Sequence, residues 1–287
     1  MSDLSAEQAD EQRGRMREAW ETVSKGWGRQ ADNLRQEGMP VSAWMVDHAQ
    51  LQPGLRVLDL AAGPGDTGFM AAELIAPGGL LISSDGAEGM LAVARARAEE
   101  LGLRNVEFKQ LELEWIDLPT ADVDVILCRW GLMLTVDPAA AVSEFRRVLK
   151  PGGRLVLAVW DETEHNQAMS IPGSVLVSLE LAEPPPPGGL GPFALSAPGA
   201  LAELLQDGGF VDPLVEKVSI ERRYPSVRDW IGETVDLSMM FNRVWTQLDG
   251  AQRQAVLAAA AERTRQFTQP DGSLVISGRC LVAVAEA

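Results

Sequence analysis

The feature that most constrains this 287-residue chain is a change of hydrophobic pattern near residue 57. From there, short apolar runs alternate with helix-length stretches. The runs lie at 57–60, 80–84, 106–111, 123–128 and 154–160, and the pattern predicts helices at about 67–75, 88–101 and 138–149. Short, almost purely apolar runs suit strands buried on both faces. Strands alternating with helices build a doubly wound, parallel α/β sheet with right-handed crossovers.

The flanks read differently. Residues 5–37 are rich in Ala, Glu, Gln and Arg, and no proline occurs before Pro40, so a helix is expected there. Trp20 and Trp27 interrupt this polar stretch. A second helix is expected at about 41–50, before the turn Gln52-Pro53-Gly54. After Trp160 the alternation stops. Residues 162–195 hold a proline run at 184–187 and several glycines, and read as a loop-rich insertion. A helix segment at 201–205 closes at Gly208-Gly209, and two last strands are expected at 214–222 and 274–284. Between them, 227–268 is mostly helical. The expected organisation is an N-terminal helical lid (1–50), a core (51–161), a loop-rich cap insertion (162–195), a continuation of the core (196–225), a helical cap insertion (226–270) and a last core strand (271–287).

Charge narrows the partners. A formal net charge of −16 repels phosphate backbones, and no Lys/Arg cluster offsets it, so nucleic acid is not expected as a partner. Cys128 and Cys280 form no CxxC pair, which points to two small buried thiols in a reducing compartment. The N-terminal stretch MSDLSAEQADEQRGR lacks the apolar centre of a signal peptide, and no apolar run reaches the ~18 residues of a spanning helix. A cytoplasmic protein with no membrane partner is expected, and a homodimer stays open.

The stretch VLDLAAGPGDTG at 57–68 carries the chemistry. Gly63, Gly65 and Gly68 satisfy GxGxxG, a spacing that serves dinucleotides and other adenosyl ligands alike. Glycines allow a tight turn and close backbone approach, and a helix N-terminus follows. Asp59 separates the two ligand classes. A pyrophosphate would meet a like charge there, whereas a ligand with an ammonium and a sulfonium would be attracted. S-adenosylmethionine is such a ligand. Asp85, after the second strand, suits ribose hydroxyls in either case. Glu112, after the third, suits an adenine amino group. The chain also lacks a second mononucleotide-binding half.

With SSDGAEGM, FKQLELEWIDLP, ILCRWGLML and RRVLKPGGRLVLAVW following in order, the chain resembles the class I S-adenosylmethionine-dependent methyltransferases, closest to their ubiquinone/menaquinone-biosynthesis branch. The resemblance covers 41–160 well and continues more loosely through ALAELLQDGGF. It implies a Rossmann-like seven-stranded sheet of order 3-2-1-4-5-7-6 with the last strand antiparallel. It implies S-adenosyl-L-methionine as cofactor and S-adenosyl-L-homocysteine as product. Asp59, Ala61, Gly63 and Gly65 would hold the methionine part, and Asp85 the ribose. Met90 would pack on the adenine face, while Glu112 and the Leu113 backbone read its edge. Arg129 would lie beside the methionine moiety, and Trp27, in SKGWGRQAD, would cover the cofactor. Ala61 stands where many members have glycine, and Glu112 where aspartate is commoner.

His48 reads as a surface histidine. His165 follows the fifth strand, where ligands gather in open α/β sheets, and is the candidate general base. Its three neighbouring carboxylates favour its charged form, which opposes that role. Trp230, Met239, Met240, Phe241 and Trp245 read either as a helical core or as an aromatic acceptor pocket. No Asn/Asp-Pro-Pro-Tyr/Phe segment follows the fourth strand, against methylation of DNA bases or glutamine. The absence of clustered thiols speaks against arsenite, and the acidity against RNA. What remains is a small organic, apolar or aromatic acceptor methylated on carbon or oxygen. A nicotinamide-dependent oxidoreductase and a non-catalytic S-adenosylmethionine-binding protein are the alternatives.

Overall fold

A computed structural model describes residues 6–184 and 190–287. Part of the proline run at 184–187 lies outside the described residues.

Two helices open the chain, α1 (Ala6–Arg29) and α2 (Ala31–His48). The core then follows as β1 (Arg56–Asp59), α3 (Asp66–Leu74), β2 (Leu80–Asp85), α4 (Glu88–Glu100), β3 (Val106–Gln110), β4 (Val123–Arg129), α5 (Pro138–Val148) and β5 (Leu149–Trp160). Each expected strand and helix of the core is present to within a few residues. Beyond β5 come α6 (Gln167–Ser178), α7 (Ala200–Asp207), β6 (Val211–Tyr224), α8 (Val227–Leu237), α9 (Met239–Trp245), α10 (Gly250–Arg263) and β7 (Leu274–Glu286).

The seven strands form one sheet, β3-β2-β1-β4-β5-β7-β6. The pairs from β3 to β5 are parallel, and β7 runs antiparallel to both β5 and β6. Central strands are apolar throughout because helices cover both faces. Val57, Leu58, Leu81, Ile82, Ile126, Leu127, Leu155 and Val156 are fully buried with Phe145 of α5 and Met45 of α2. Strand order reverses between β1 and β4, and in open α/β sheets ligands bind beyond the strand ends at such a point.

Three expectations change. The first break in the N-terminal helix falls at Gln30, and Pro40 sits inside α2. Gly26 and Gly28 lower helix propensity just before that break. There Arg29 and Gln30 both bond the carboxylate of Asp236 in α8. Second, 167–178 is helix rather than loop. Pro172 lies inside α6 and cannot donate to the carbonyl of Ala168. Trp230 Nε1 donates to that carbonyl instead, at 3.1 Å. Third, the late aromatic cluster is core. Trp230 and Phe241 are 1% and 2% exposed, packed with Val175, Leu176, Tyr224, Val256, Leu274 and Ile276 into a second apolar cluster beneath the cap helices.

His48 stacks on Trp44 with ring centroids 3.8 Å apart. Cys128 and Cys280 are both buried and free, and no helix among the described residues is long and apolar enough to cross a membrane.

α1 touches α8 closely. A Cβ at Gly26 would lie 2.2 Å from the Asp236 carbonyl oxygen, a backbone atom that cannot swing aside. Gly26→Ala is therefore expected to destabilise the protein by about 1–3 kcal/mol, as overpacking does. Urea unfolding checks this, and an unchanged midpoint would mean that the α1–α8 approach is soft.

Candidate functional site

A cleft opens at the carboxyl ends of the central strands. Its floor is made by the loops after β1 (Ala61–Pro64), β2 (Asp85–Ala87), β3 (Glu112–Glu114) and β4 (Arg129–Gly131). These four loops meet because their strands are neighbours in the sheet.

The loop after β1 is tightly built. Leu60 N–H donates to Leu127 and Ala62 N–H to Ser84, which ties the loop to both flanking strands. Ala61 takes φ 51°, Gly63 53° and Gly65 91°. A Cβ at Gly63 would meet nothing nearer than Trp27, at 3.9 Å, so this stretch of backbone faces open space that a ligand can approach. Gly65 caps α3. Gly68 serves differently: a Cβ there would sit 2.4 Å from Asp59 Oδ2, and its N–H donates to that oxygen at 3.0 Å. The third glycine of the motif therefore makes room for a carboxylate rather than for a phosphate.

Asp59 is 2% exposed. Burial pushes its carboxyl up to about 7, against the pull of Arg129 and the Gly68 N–H. Asp85 accepts from Gly63 N–H on one oxygen and Ala87 N–H on the other, both at 3.0 Å. Burial lifts it to about 6, and those two N–H groups hold it down. Each Asp85 oxygen retains a lone pair for a ligand hydroxyl.

The structure brings Trp27, Asp59, Ala61, Gly63, Asp85, Met90, Glu112, Leu113 and Arg129 onto one cleft. Gly65 lies just behind it, at the start of α3. Arg129 is committed to its surroundings: it pairs with Asp66 at 2.9 Å, reaches Ser42 at 3.2 Å and lies over the Trp130 ring. Trp27 donates from Nε1 to the Leu237 carbonyl at 3.1 Å and meets Trp20 edge-on.

His165 is not brought to this cleft. It sits in a 3-10 turn, Thr163–His165, and lines a separate depression with Ser219, Ser277 and Arg279. The polypeptide turns away after β5 because Asp161, buried, is held by the Arg279 guanidinium and its backbone N–H bonds the Arg279 carbonyl.

Several lining residues escaped the sequence reading. Arg13, Met16, Arg17 and Trp20 come from α1, Glu114 from the loop after β3, and Trp130 from the end of β4. The α1 residues recur at helical spacing, the one available signal, obscured because two of them are charged. The arginines on the cleft are each paired with an acid: Arg13 with Glu114, Arg17 with Glu112 and Arg129 with Asp66.

Residues 51–176 match the methyltransferase-domain family. The chain is 29% identical over 238 residues to a nocamycin O-methyltransferase of Saccharothrix syringae, covering 80% of this chain and 83% of that one. It is 38% identical over 112 residues to a demethylmenaquinone methyltransferase of Lactococcus lactis, covering 39% of this chain and 43% of that enzyme, so it spans less than half of that relative's length. The YcgJ protein of a Bacillus superposes with a TM-score of 0.59 at 19% identity, covering 85% of this chain and 97% of that one, a likeness of fold.

Asp59 generates a stability prediction. Its raised pKa means that between about 4 and 7 the folded protein holds a proton that the unfolded chain has lost. Stability from this group is full at low pH and falls as pH rises through that window, by at most ~1.4 kcal/mol per pH unit. Asp59→Asn keeps an acceptor for Gly68 and cannot ionise. The stability of the variant minus that of the wild type, from urea unfolding, should be more positive at pH 8 than at pH 5. An equal difference at both would show that Asp59 titrates normally.

By its sheet order, its four strand-end loops and its relatives, the chain belongs to the class I S-adenosylmethionine-dependent methyltransferases, with its methyltransferase domain at residues 51–176.

Proposed function

We propose that the protein methylates a small organic, apolar or aromatic acceptor, on oxygen in preference to carbon. The observation that carries the placement of the cofactor is the charge of the cleft. Asp59, Asp85 and Glu112 line it, and its three arginines are already paired with acids. Such a surface attracts an ammonium and a sulfonium and repels a pyrophosphate. The preference for oxygen rests on the relatives. The likeness that extends over 80% of the chain is to an O-methyltransferase, whereas that to the menaquinone enzyme covers 39%.

S-adenosylmethionine, when bound, supplies an electrophilic methyl group on a good leaving group. The chain's own residues position and enclose it. Asp59 and the Ala61–Gly65 turn hold the amino-acid end beside Arg129. Asp85 accepts from the ribose hydroxyls. Met90 packs on the adenine face, and Glu112 with the Leu113 backbone reads its edge. Trp20 and Trp27 roof the cleft and exclude water. Displacement at a sulfonium depends mainly on alignment and desolvation, so the work falls to these positioning contacts.

Calorimetric titration tests this. The wild type should bind S-adenosylmethionine and S-adenosylhomocysteine and not NADH. Asp85→Asn should weaken both adenosyl ligands by about 1.5–3 kcal/mol, the range for hydrogen bonds to charged groups. Binding of NADH alone would overturn the cofactor assignment. Tight adenosyl binding without turnover across phenols, enols and carboxylic acids would favour a non-catalytic S-adenosylmethionine-binding protein.

A further inference from the structure

The first half of α1 lies across the end of the cleft formed by the loops after β2 and β3. Arg17 Nε donates to Glu112 Oε1 at 2.8 Å. One turn earlier, the Arg13 guanidinium pairs with Glu114. These two carboxylates flank Leu113 in the loop after β3.

Glu114 is fixed independently of α1. Its other oxygen accepts from the backbone N–H groups of Val136 and Asp137 at 2.7 and 3.0 Å, and its side chain is 10% exposed. Arg13 therefore docks on a preset anchor. Further along α1, Glu21 accepts from Gly89 N–H at 2.9 Å. Gly89 lies in the first turn of α4, where the helix dipole favours a carboxylate. A Cβ at Gly89 would come within 2.5 Å of Ser24 Oγ, so the two helices meet closely only because glycine stands there.

Glu112 has two oxygens and Arg17 takes Oε1. Its Oε2 lies beside Gly86, 3.1 Å from where a Cβ of that residue would be. Gly86 follows Asp85 and lines the cleft. Arg17 therefore orients Glu112 without occupying both of its oxygens.

We propose that Arg13 and Arg17 are positioning residues that form an ionic latch. Through Glu114 and Glu112 they hold α1 over the nucleoside end of the cofactor and set the rate at which the spent cofactor leaves. The proposal rests on the placement of the cofactor argued above. The Arg17–Glu112 pair is half-exposed, at 47% and 42%, and the Arg13–Glu114 pair is more enclosed. Added salt weakens exposed pairs most, since the screening length is about 10 Å at 0.1 M ionic strength. Release should therefore quicken with salt.

The test is stopped-flow tryptophan fluorescence of S-adenosylhomocysteine release at 50 and 500 mM KCl. Wild type is expected to release slowly at low salt and faster at high salt. The double variant Arg13→Gln/Arg17→Gln is expected to release about tenfold faster at low salt, the factor that about 1.4 kcal/mol represents, and to lose most of the salt dependence. Arg13→Lys/Arg17→Lys should recover salt sensitivity. Arg15→Gln is the charge control, because Arg15 pairs with Glu11 on the exposed face of the same helix. Equal urea midpoints establish that the variants fold. A double variant with the wild-type rate and salt slope overturns the latch, as does an Arg15→Gln variant that releases equally fast. Failure of wild type to bind S-adenosylhomocysteine in calorimetry overturns the cofactor assignment itself, a separate result obtained first.

Discussion

The ion triad at the start of α3 fixes everything above it. Asp66, with its side chain 2% exposed, accepts from Arg97 at 2.8 Å and from Arg129 at 2.9 Å. Arg97 comes from α4 and Arg129 from the end of β4, so one carboxylate joins three elements. Arg97 also donates to the Pro64 carbonyl at 2.7 Å. The glycine loop is thereby clamped between its own helix and the next one. Ser42 of α2 joins the same group, bonded to Thr67 at 2.9 Å. Buried ion pairs add little net stability, yet removing one partner costs roughly 3–5 kcal/mol because the other charge stays buried. The triad therefore specifies geometry more than it adds strength. It also explains how a cleft lined by arginines still presents a negative field.

The core was legible in the sequence for a simple reason. Strands buried on both faces have no freedom to be polar, so 57–60, 80–84, 123–128 and 154–160 stand out. The loops beyond them carry the site, and their convergence follows from strand order. What the sequence hid was hidden by tertiary contacts. Pro172 reads as a break, but Trp230 satisfies the carbonyl that proline orphans, and the helix continues. Pro40 reads as a boundary, yet α2 carries it through while the chain breaks at Gln30. The roof of the cleft was obscured because Arg13 and Arg17 look like a solvated face until their partners in the loop after β3 are placed. His165 misled in the opposite way. A position after β5 is a good prior, but the Asp161–Arg279 pair turns the chain aside.

Aromatic and guanidinium groups link the two apolar clusters. Arg129 lies over Trp130, Trp130 stacks on Trp160 at 4.5 Å, and Arg222 lies over Trp160. Arg222 in turn neighbours Glu37 of α2, Tyr224 of β6 and Glu233 of α8. Burial raises Glu37 to about 7, with Arg222 pulling it back down. The cap, the N-terminal helices and the end of β4 thus share one continuous stack rather than meeting as separate layers.

The antiparallel β7 has a consequence for how such a chain can change. β6 runs parallel to β5, so it ends on the same side of the sheet as the cleft, and α8–α10 are inserted there before β7 returns. α6 follows β5 on that side too. Because the return strand needs no crossover, both insertions can lengthen, shorten or exchange sequence without shifting the register of any strand from β3 to β5. The side that meets the acceptor is free to drift, while the side that holds the cofactor is locked by its own pairing. A fold divided in this way can acquire new acceptors by altering its cap alone.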